Sequence, residues 1–204
     1  MKYIKLAALV LCGALGLCAM GCTAGPNETS AATESTTEST TEATKAPVTN
    51  EGDEFVGDYP AFEVTTTSLK ANSNMWEDRM GTENISPALS WEPVEGASCY
   101  VIYMVDLNAN CFLHWVQGDI TQTSLPEGFA DRSFYVGPYP PTGSVHQYNI
   151  YVIALKNPVK RVKGSTNSMF PELPRFIKDL DTDKDGNTGN IISAGKVIGL
   201  YKGK

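Results

Sequence analysis

Histidine and paired cysteines are scarce in this 204-residue sequence, and their scarcity excludes several classes of function. The chain has two histidines and five cysteines, and it contains no His-Glu-x-x-His, Gly-x-Ser-x-Gly or phosphate-loop motif. No cysteines occur in pairs at the spacing of a zinc site. We therefore predict that the protein is not an enzyme and that it has no cofactor, apart from a weak indication of calcium described below.

An excess of positive charge is also missing. The formal net charge is −7, and it becomes −9 without residues 1–21, which carry two lysines and no acids. Such a chain is a poor candidate for binding nucleic acid or an anionic lipid surface through bulk charge. Any anion that it binds has to be held by local groups.

No hydrophobic run is long enough to span a membrane comfortably. The apolar run at residues 6–20 follows Lys2 and Lys5 and ends in Ala-Met-Gly before Cys22. This arrangement is similar to a bacterial lipoprotein signal, in which the cysteine is acylated (with palmitate, for example) and becomes the new N-terminus. We predict a signal over residues 1–21, a lipid on Cys22 and an extracytoplasmic, membrane-anchored protein. The alternatives are an ordinary secretory signal or a short hydrophobic anchor with a chance cysteine.

The segment after Cys22 is poor in apolar residues. Residues 33–42 read Thr-Glu-Ser-Thr-Thr-Glu-Ser-Thr-Thr-Glu, a composition that cannot bury enough surface to offset the entropy of ordering. We predict a disordered linker over residues 22–52 and one folded domain over residues 53–204. Within that domain Cys99 and Cys111 are predicted to lie too far apart for a disulfide and to be free thiols.

The domain reads as short strands separated by turns rich in Gly, Pro and Asn. A helix–strand alternation is absent, and this favours an all-β fold, an antiparallel β-sandwich with short peripheral helices. The best helical region is residues 158–180, which two prolines interrupt. The predicted strands are residues 62–69, 100–105, 113–120, 148–155 and 196–201.

One stretch, residues 137–148, carries most of the candidate chemistry. It reads Gly-Pro-Tyr-Pro-Pro-Thr-Gly-Ser-Val-His-Gln-Tyr and feeds a β-branched strand. Residues two apart share a strand face, so His146 and Tyr148 should lie side by side at the mouth of a rigid loop. An imidazole and a phenol there can both donate to an anion.

Three motifs give the chain a family resemblance. Residues 137–148, the strand Asn-Cys-Phe-Leu-His-Trp-Val at residues 110–116, and a degraded Asp-Leu-Asn-Ala-Asn loop at residues 106–110 resemble the phosphatidylethanolamine-binding protein family, which includes the Raf kinase inhibitor proteins. Residues 84–91 and 191–201 extend the resemblance to roughly residues 60–204. It implies two antiparallel sheets and a pocket for phosphate, phosphoryl head groups or small carboxylates.

The resemblance also implies a set of ligand-binding residues. Asn108 stands where the family has Asp, which removes a charge and adds a donor, and Leu107 and Asn110 stand where it has prolines, which loosens this side of the pocket. The alternative without a binding role is that His114 is a core residue whose hydrogen bonds are made within the protein and that His146 only caps a strand. The predicted ligand-binding residues are Asp106, Asn108, His114, Pro141, His146 and Tyr148.

From these residues we predict a non-catalytic binding protein for a small anionic or phosphoryl-bearing ligand. The first alternative is a protein-interaction or inhibitor module, because relatives regulate kinases or proteases through surface loops. The second is a hydrolase that uses a pocket histidine as its base. No nucleic-acid partner is expected, and the membrane is expected to be a partner only through the lipid on Cys22.

A separate acidic turn has part of the spacing of a calcium loop. Asp181, Asp183 and Asp185 alternate before Gly186, as in an EF-hand, but Ile192 occupies the twelfth position, where a bidentate acid is needed. A weak calcium site and a solvated acidic turn both remain open, and the turn is favoured.

Overall fold

The structure is a computed structural model that describes residues 47–204. The predicted signal, the lipidation site at Cys22 and most of the predicted linker lie outside these residues. Within them, no helix is long and apolar enough to cross a membrane. The elements are β1 (Ala61–Thr65), α1 (Arg79–Thr82), β2 (Leu89–Trp91), β3 (Cys99–Asp106), a 3-10 turn (Leu107–Ala109), β4 (Phe112–Ile120), β5 (Ser124–Leu125), β6 (Val145–Leu155), β7 (Ser168–Met169), α2 (Leu173–Asp179) and β8 (Ile191–Lys202).

The strands form one curled sheet with the order β5-β2-β1-β8-β6-β3-β4-β7. The prediction of an all-β, sandwich-like fold with short peripheral helices is confirmed. The strands are joined in one sheet, rather than in two separate antiparallel ones, because β1 pairs with β8 in parallel. All the other neighbouring strands of the sheet pair antiparallel.

The central strands are buried on both faces, which explains their continuous apolar sequences. Along β3, Ile102 and Met104 enter one core cluster together with residues of β1, β2 and β5, so the curled end of the sheet packs over its centre. Val101 and Tyr103, on the opposite face, enter a second cluster with α2. A strand covered on both faces has no polar alternation, which is why residues 100–105 read as a plain apolar run.

The predicted strands are present, with shifted ends. Those at 100–105, 113–120, 148–155 and 196–201 lie within β3, β4, β6 and β8, whereas β1 already ends at Thr65. Within the predicted helical region only α2 is helical. Pro174 lies in its first turn, where backbone N–H groups have no partner within the helix, so the N–H that proline lacks is not needed. Residues 159–163 carry no helix or strand.

The chain just before the predicted domain boundary at residue 53 contacts β8. Asn50 is buried, and its Nδ2 donates to the Ala194 carbonyl of β8 at 2.9 Å. Three residues later, the Asp53 carboxylate accepts a hydrogen bond from Lys196 Nζ at 2.8 Å. These contacts attach the start of the described chain to β8.

Candidate functional site

The core of the candidate site is a carboxylate–imidazole pair that joins two neighbouring strands. Asp106 ends β3 and lies opposite Tyr148 of β6, which places it beside His146. His146 Nδ1 lies 2.7 Å from Asp106 Oδ2. The other carboxylate oxygen, Oδ1, accepts the Asn108 N–H at 2.8 Å and so caps the 3-10 turn. Asp106 is 3% exposed, and the hydrogen bond from Asn108 fixes its carboxylate. The fixed carboxylate in turn orients the imidazole of His146.

His114 reaches the same place through an irregularity in β4. Met104 pairs with Trp115 and Val105 pairs with Leu113, so His114 is the extra residue of a β-bulge. A bulge turns a side chain away from the regular alternation of a strand. The Nδ1 atom of His114 lies 2.9 Å from the Val136 carbonyl, and burial lowers the pKa of the imidazole.

Tyr148 contributes a hydroxyl that has no hydrogen-bond partner among the described residues. Its ring packs edge-on against His114, with ring centroids 5.1 Å apart. Burial, followed by the negative charge and the proximity of the Asp106 carboxylate, raises the pKa of the hydroxyl, so Tyr148 stays protonated. No hydrogen bond of good geometry joins the hydroxyl to that carboxylate. A protonated, buried and unpartnered hydroxyl is a hydrogen-bond donor available to a ligand.

The loop before β6 forms the outer wall of the site. Tyr139 packs edge-on against Phe112 and His114, with ring centroids 5.8 and 5.6 Å away, and its hydroxyl donates to Asn167 Oδ1 at 2.8 Å. Gly137 is required at the start of this loop because a Cβ there would overlap the Met80 carbonyl. Together these segments enclose a cavity of about 300 Å³ lined by Asp106, Ala109, Phe112, His114, Tyr139, Pro140, Pro141, His146 and Tyr148.

Comparison with known proteins places this arrangement in a family. The family model of the phosphatidylethanolamine-binding protein matches residues 58–190, well over half of the chain. The chain belongs to the phosphatidylethanolamine-binding protein family. This confirms the resemblance drawn from its sequence motifs.

Two solved structures share the fold. Escherichia coli YbcL, described as a member of the mammalian PEBP family, has 22% sequence identity and a TM-score of 0.53, and the match covers 70% of this chain and 99% of YbcL. Chlamydia trachomatis CT736, described as a putative phosphatidylethanolamine-binding protein homolog, has 18% identity and a TM-score of 0.51 over 71% of this chain and 99% of CT736. No match was found among curated protein sequences.

The structure brings together five of the six residues predicted to bind ligand in this family member. Asp106, His114, Pro141, His146 and Tyr148 all line the cavity. The sixth, Asn108, does not, because its exposed side chain turns outward and its Oδ1 accepts the Gln147 N–H at 2.8 Å. Asn108 therefore links the 3-10 turn to β6 and adds no donor to the cavity.

The sequence motifs did not identify the aromatic walls of the cavity. Phe112 lies directly opposite Asp106 in the β3–β4 register, and its ring centroid is 5.0 Å from that of His114. The sequence offered one signal for Phe112. It lies two residues before a candidate histidine on the same strand, and residues at that spacing tend to share a strand face. Tyr139 and Pro140 lie inside the recognised loop, but which loop side chains face inward depends on the tertiary structure.

The acidic turn at residues 181–187 does not gather its carboxylates around one point. Asp181 accepts the N–H groups of Gly189 and Ile191, and Asp185 pairs with Lys184 at 2.7 Å. Asp183 accepts hydrogen bonds from Asn187 and from two further residues. Among residues 47–204 no group of three or more His, Cys, Asp or Glu could hold a metal ion. The carboxylates serve as hydrogen-bond acceptors that shape the turn.

The two cysteines of the domain are free thiols. Cys99 is buried at the start of β3, and Cys111 lies between the 3-10 turn and β4. Burial raises the pKa of both thiols, so neither is activated as a thiolate.

Proposed function

We propose that this protein is an extracytoplasmic lipoprotein whose pocket binds a small anionic or phosphoryl-bearing ligand without catalysis, held to the bacterial membrane by a lipid on Cys22. Membership of the phosphatidylethanolamine-binding protein family makes it a ligand-binding or regulatory protein in general terms. The lipid anchor rests on the sequence pattern around Cys22, and the ligand class rests on the geometry of the cavity.

The observation that carries the ligand proposal is the unpartnered hydroxyl of Tyr148. Leaving a buried donor without a partner costs about 1–3 kcal/mol, so a hydroxyl in this state at a cavity wall is best explained by a ligand that accepts a hydrogen bond from it. The pair formed by His146 and Asp106 adds to this, because the Asp106 carboxylate, 2.7 Å from His146 Nδ1, holds the imidazole in place at the cavity wall.

The proposed absence of catalysis is supported by the residues of the cavity wall. The described residues that line it include no serine, threonine, cysteine or lysine. The single carboxylate, Asp106, already accepts two hydrogen bonds. A hydrolase would need an activated nucleophile or water near these groups. Turnover of a panel of phosphoesters and carboxylic esters by the purified protein would contradict a purely binding role.

The protein-interaction alternative is favoured by exposed apolar residues near the cavity mouth. Tyr139 is 56% exposed at the wall of the cavity, and Met169, which pairs with Phe112 across β4 and β7, is 59% exposed. Exposed apolar side chains at the mouth of a site are typical of contact with a partner. If they carry the function, Met169→Ser will abolish capture of a partner and leave the affinity for small anions unchanged.

The ligand proposal is tested by calorimetric titration of phosphorylethanolamine into the wild type and His146→Ala. Losing a hydrogen bond to a charged group costs about 1.5–3 kcal/mol, so His146→Ala should bind roughly tenfold to hundredfold more weakly. Val145→Ala is the matched control, since Val145 is the adjacent exposed residue and does not line the cavity. Equal affinities for wild type and His146→Ala, or no binding by a folded wild type, would refute the proposal.

A further inference from the structure

One peptide group, between Val136 and Gly137, connects His114 to a side chain that does not line the cavity. Its carbonyl oxygen, on Val136, lies 2.9 Å from His114 Nδ1, and its N–H, on Gly137, donates to Asn84 Oδ1 at 2.5 Å. The carbonyl and the N–H of a trans peptide point in opposite directions. Asn84 and His114 therefore hold this peptide from its two sides.

The carbonyl of Val136 determines which ring nitrogen of His114 carries the proton. A carbonyl oxygen can only accept a hydrogen bond, so Nδ1 is the protonated nitrogen. Burial lowers the pKa of the imidazole, which favours the neutral ring with this single proton. The N–H of Val136 also donates to the His114 carbonyl at 2.8 Å, so the two residues are joined twice. Both the tautomer and the orientation of the His114 ring depend on the direction of the Val136 carbonyl.

Asn84 has a backbone conformation that few other residues adopt. Its φ of 56° lies in the left-handed region, where asparagine and glycine are tolerated better than most residues. It follows Glu83, the C-cap of α1, and precedes the buried Ser86. Ser86 Oγ accepts the Ala130 N–H at 3.0 Å, which fixes the chain just after Asn84. The side-chain oxygen of Asn84 is therefore presented from a fixed backbone.

The helix before Asn84 supports the same loop. A Cβ on Gly137 would overlap the Met80 carbonyl of α1, so the loop backbone lies directly on the helix. Arg79 of α1 in turn donates to both carboxylate oxygens of Glu127, at 2.8 and 2.9 Å. Because α1 is held in this way, the hydrogen bond from Gly137 to Asn84 ties the loop to a rigid part of the domain.

The same peptide begins the loop that forms the outer wall of the cavity. Tyr139, Pro140 and Pro141 line the cavity, two to four residues after Gly137. Proline fixes φ, so a loop with three prolines in four residues moves as a unit rather than bending internally. A rotation of the peptide before Gly137 would therefore move this wall together with the ring of His114.

We propose that Asn84 is a positioning residue of the cavity, whose side-chain oxygen orients the Val136–Gly137 peptide and, through it, the His114 ring and the outer wall. Asn84 itself does not line the cavity. The inference rests on the proposed function only where affinity is concerned, because the state of His114 can be measured without ligand. Glycine at position 84 tolerates the positive φ but offers no acceptor, so the role of the oxygen can be separated from that of the backbone.

The test is nuclear magnetic resonance of detergent-solubilised full-length protein at pH 8, where an ordinary imidazole is neutral. The chain has two histidines, so comparison with His146→Ala assigns their ring-nitrogen signals. In the wild type we expect the Nδ1-protonated tautomer of His114 and slow solvent exchange of the Gly137 amide. In Asn84→Gly we expect a mixture of both tautomers and roughly tenfold faster exchange of that amide, because its hydrogen bond is lost.

Two further variants separate this hydrogen bond from general effects. Asn84→Asp retains an oxygen acceptor and should restore both signals. Asn72 is exposed and has a φ of 54°, so Asn72→Gly is the matched control for replacing a left-handed asparagine with glycine, and it should behave like the wild type. In calorimetric titration with phosphorylethanolamine, Asn84→Gly should bind roughly fivefold to tenfold more weakly than the wild type and Asn72→Gly.

The outcomes distinguish the positioning role from the proposed function. A wild-type His114 tautomer and slow Gly137 exchange in Asn84→Gly, or the same loss in Asn84→Asp as in Asn84→Gly, overturn the positioning role. Changed His114 signals with unchanged affinity overturn its importance for binding. No binding by a folded wild type overturns the proposed function, and the ligand-free spectra still decide the role of Asn84. If Asn84→Gly does not fold, fast exchange of the Gly137 amide in the wild type, or an Nε2-protonated His114 there, overturns the inference.

Discussion

Replacing Tyr148 with phenylalanine should have opposite effects on stability and on ligand binding. The hydroxyl of Tyr148 is buried and has no partner among the described residues, so the unliganded protein bears the desolvation cost of that group. An unsatisfied buried donor costs about 1–3 kcal/mol. We expect the lower end, about 1 kcal/mol of added stability in Tyr148→Phe, because deleting the oxygen also leaves a small gap.

Tyr103→Phe is the matched control for this prediction. Tyr103 lies on β3, next to β6, and is fully buried, but its hydroxyl donates to the Lys163 carbonyl at 2.7 Å. Removing that hydroxyl leaves a carbonyl without its partner and should cost about 1 kcal/mol. Tyr103 does not line the cavity, so ligand affinity should not change.

The measurement is thermal unfolding of the two variants and the wild type without ligand, followed by titration with phosphorylethanolamine. For a domain of about 150 residues, 1 kcal/mol corresponds to roughly 3 °C in Tm. We expect Tyr148→Phe to melt about 3 °C higher and to bind roughly tenfold more weakly, and Tyr103→Phe to melt about 3 °C lower with unchanged affinity. If Tyr148→Phe loses as much stability as Tyr103→Phe, its hydroxyl has a partner in the free protein and the reasoning fails.

Three further predictions concern the anchor and the acidic turn. Cys22→Ala should incorporate no fatty acid and should be released or left unprocessed, as fractionation would detect, whereas unchanged membrane retention would contradict the lipid anchor. Millimolar calcium should leave Tm unchanged relative to chelator, because the carboxylates of Asp181 and Asp183 already accept hydrogen bonds; a clear rise would show that they converge on an ion. Asp183→Asn should lower Tm at neutral pH but not in acid. Hydrogen bonds donated by Asn187 lower the pKa of the Asp183 carboxyl, so this carboxylate contributes fully to folding stability above its ordinary pKa of 3.8. The contribution is lost as the pH falls through the lower pKa of the folded state, which thermal unfolding at two pH values would detect.

The local chemistry of the site was predictable, but the long-range hydrogen bonds that position its side chains were not. The two-residue spacing of His146 and Tyr148 places both on one face of β6, and the proline-rich loop before them is recognisable from the sequence. The role of His114 depends on a bulge in β4 and on the carbonyl of Val136, twenty-two residues away. A contact at that separation is set by tertiary packing and leaves no local pattern.

The fold shows the same division between local and distant information. Apolar runs located β3, β4, β6 and β8, because each strand is defined by its own residues. The parallel pairing of β1 with β8 joins the two ends of the domain, and no periodicity within either strand indicates it. The position of Asn108 outside the cavity has a related cause, since its partner, the Gln147 N–H, belongs to a strand that begins 37 residues later.

The place of β8 in the sheet has a consequence for how the chain reaches its native state. Of the described strands, β8 is the last to be synthesised, and it lies between β1, the first of them, and β6. Before residues 191–202 leave the ribosome, the β5-β2-β1 end has no hydrogen-bonded connection to β6, β3 and β4. Pairings of such high sequence separation are slow to form. A vectorially emerging chain therefore stays open until β8 is available, and removal of β8 should leave two unjoined fragments of sheet rather than a shortened domain.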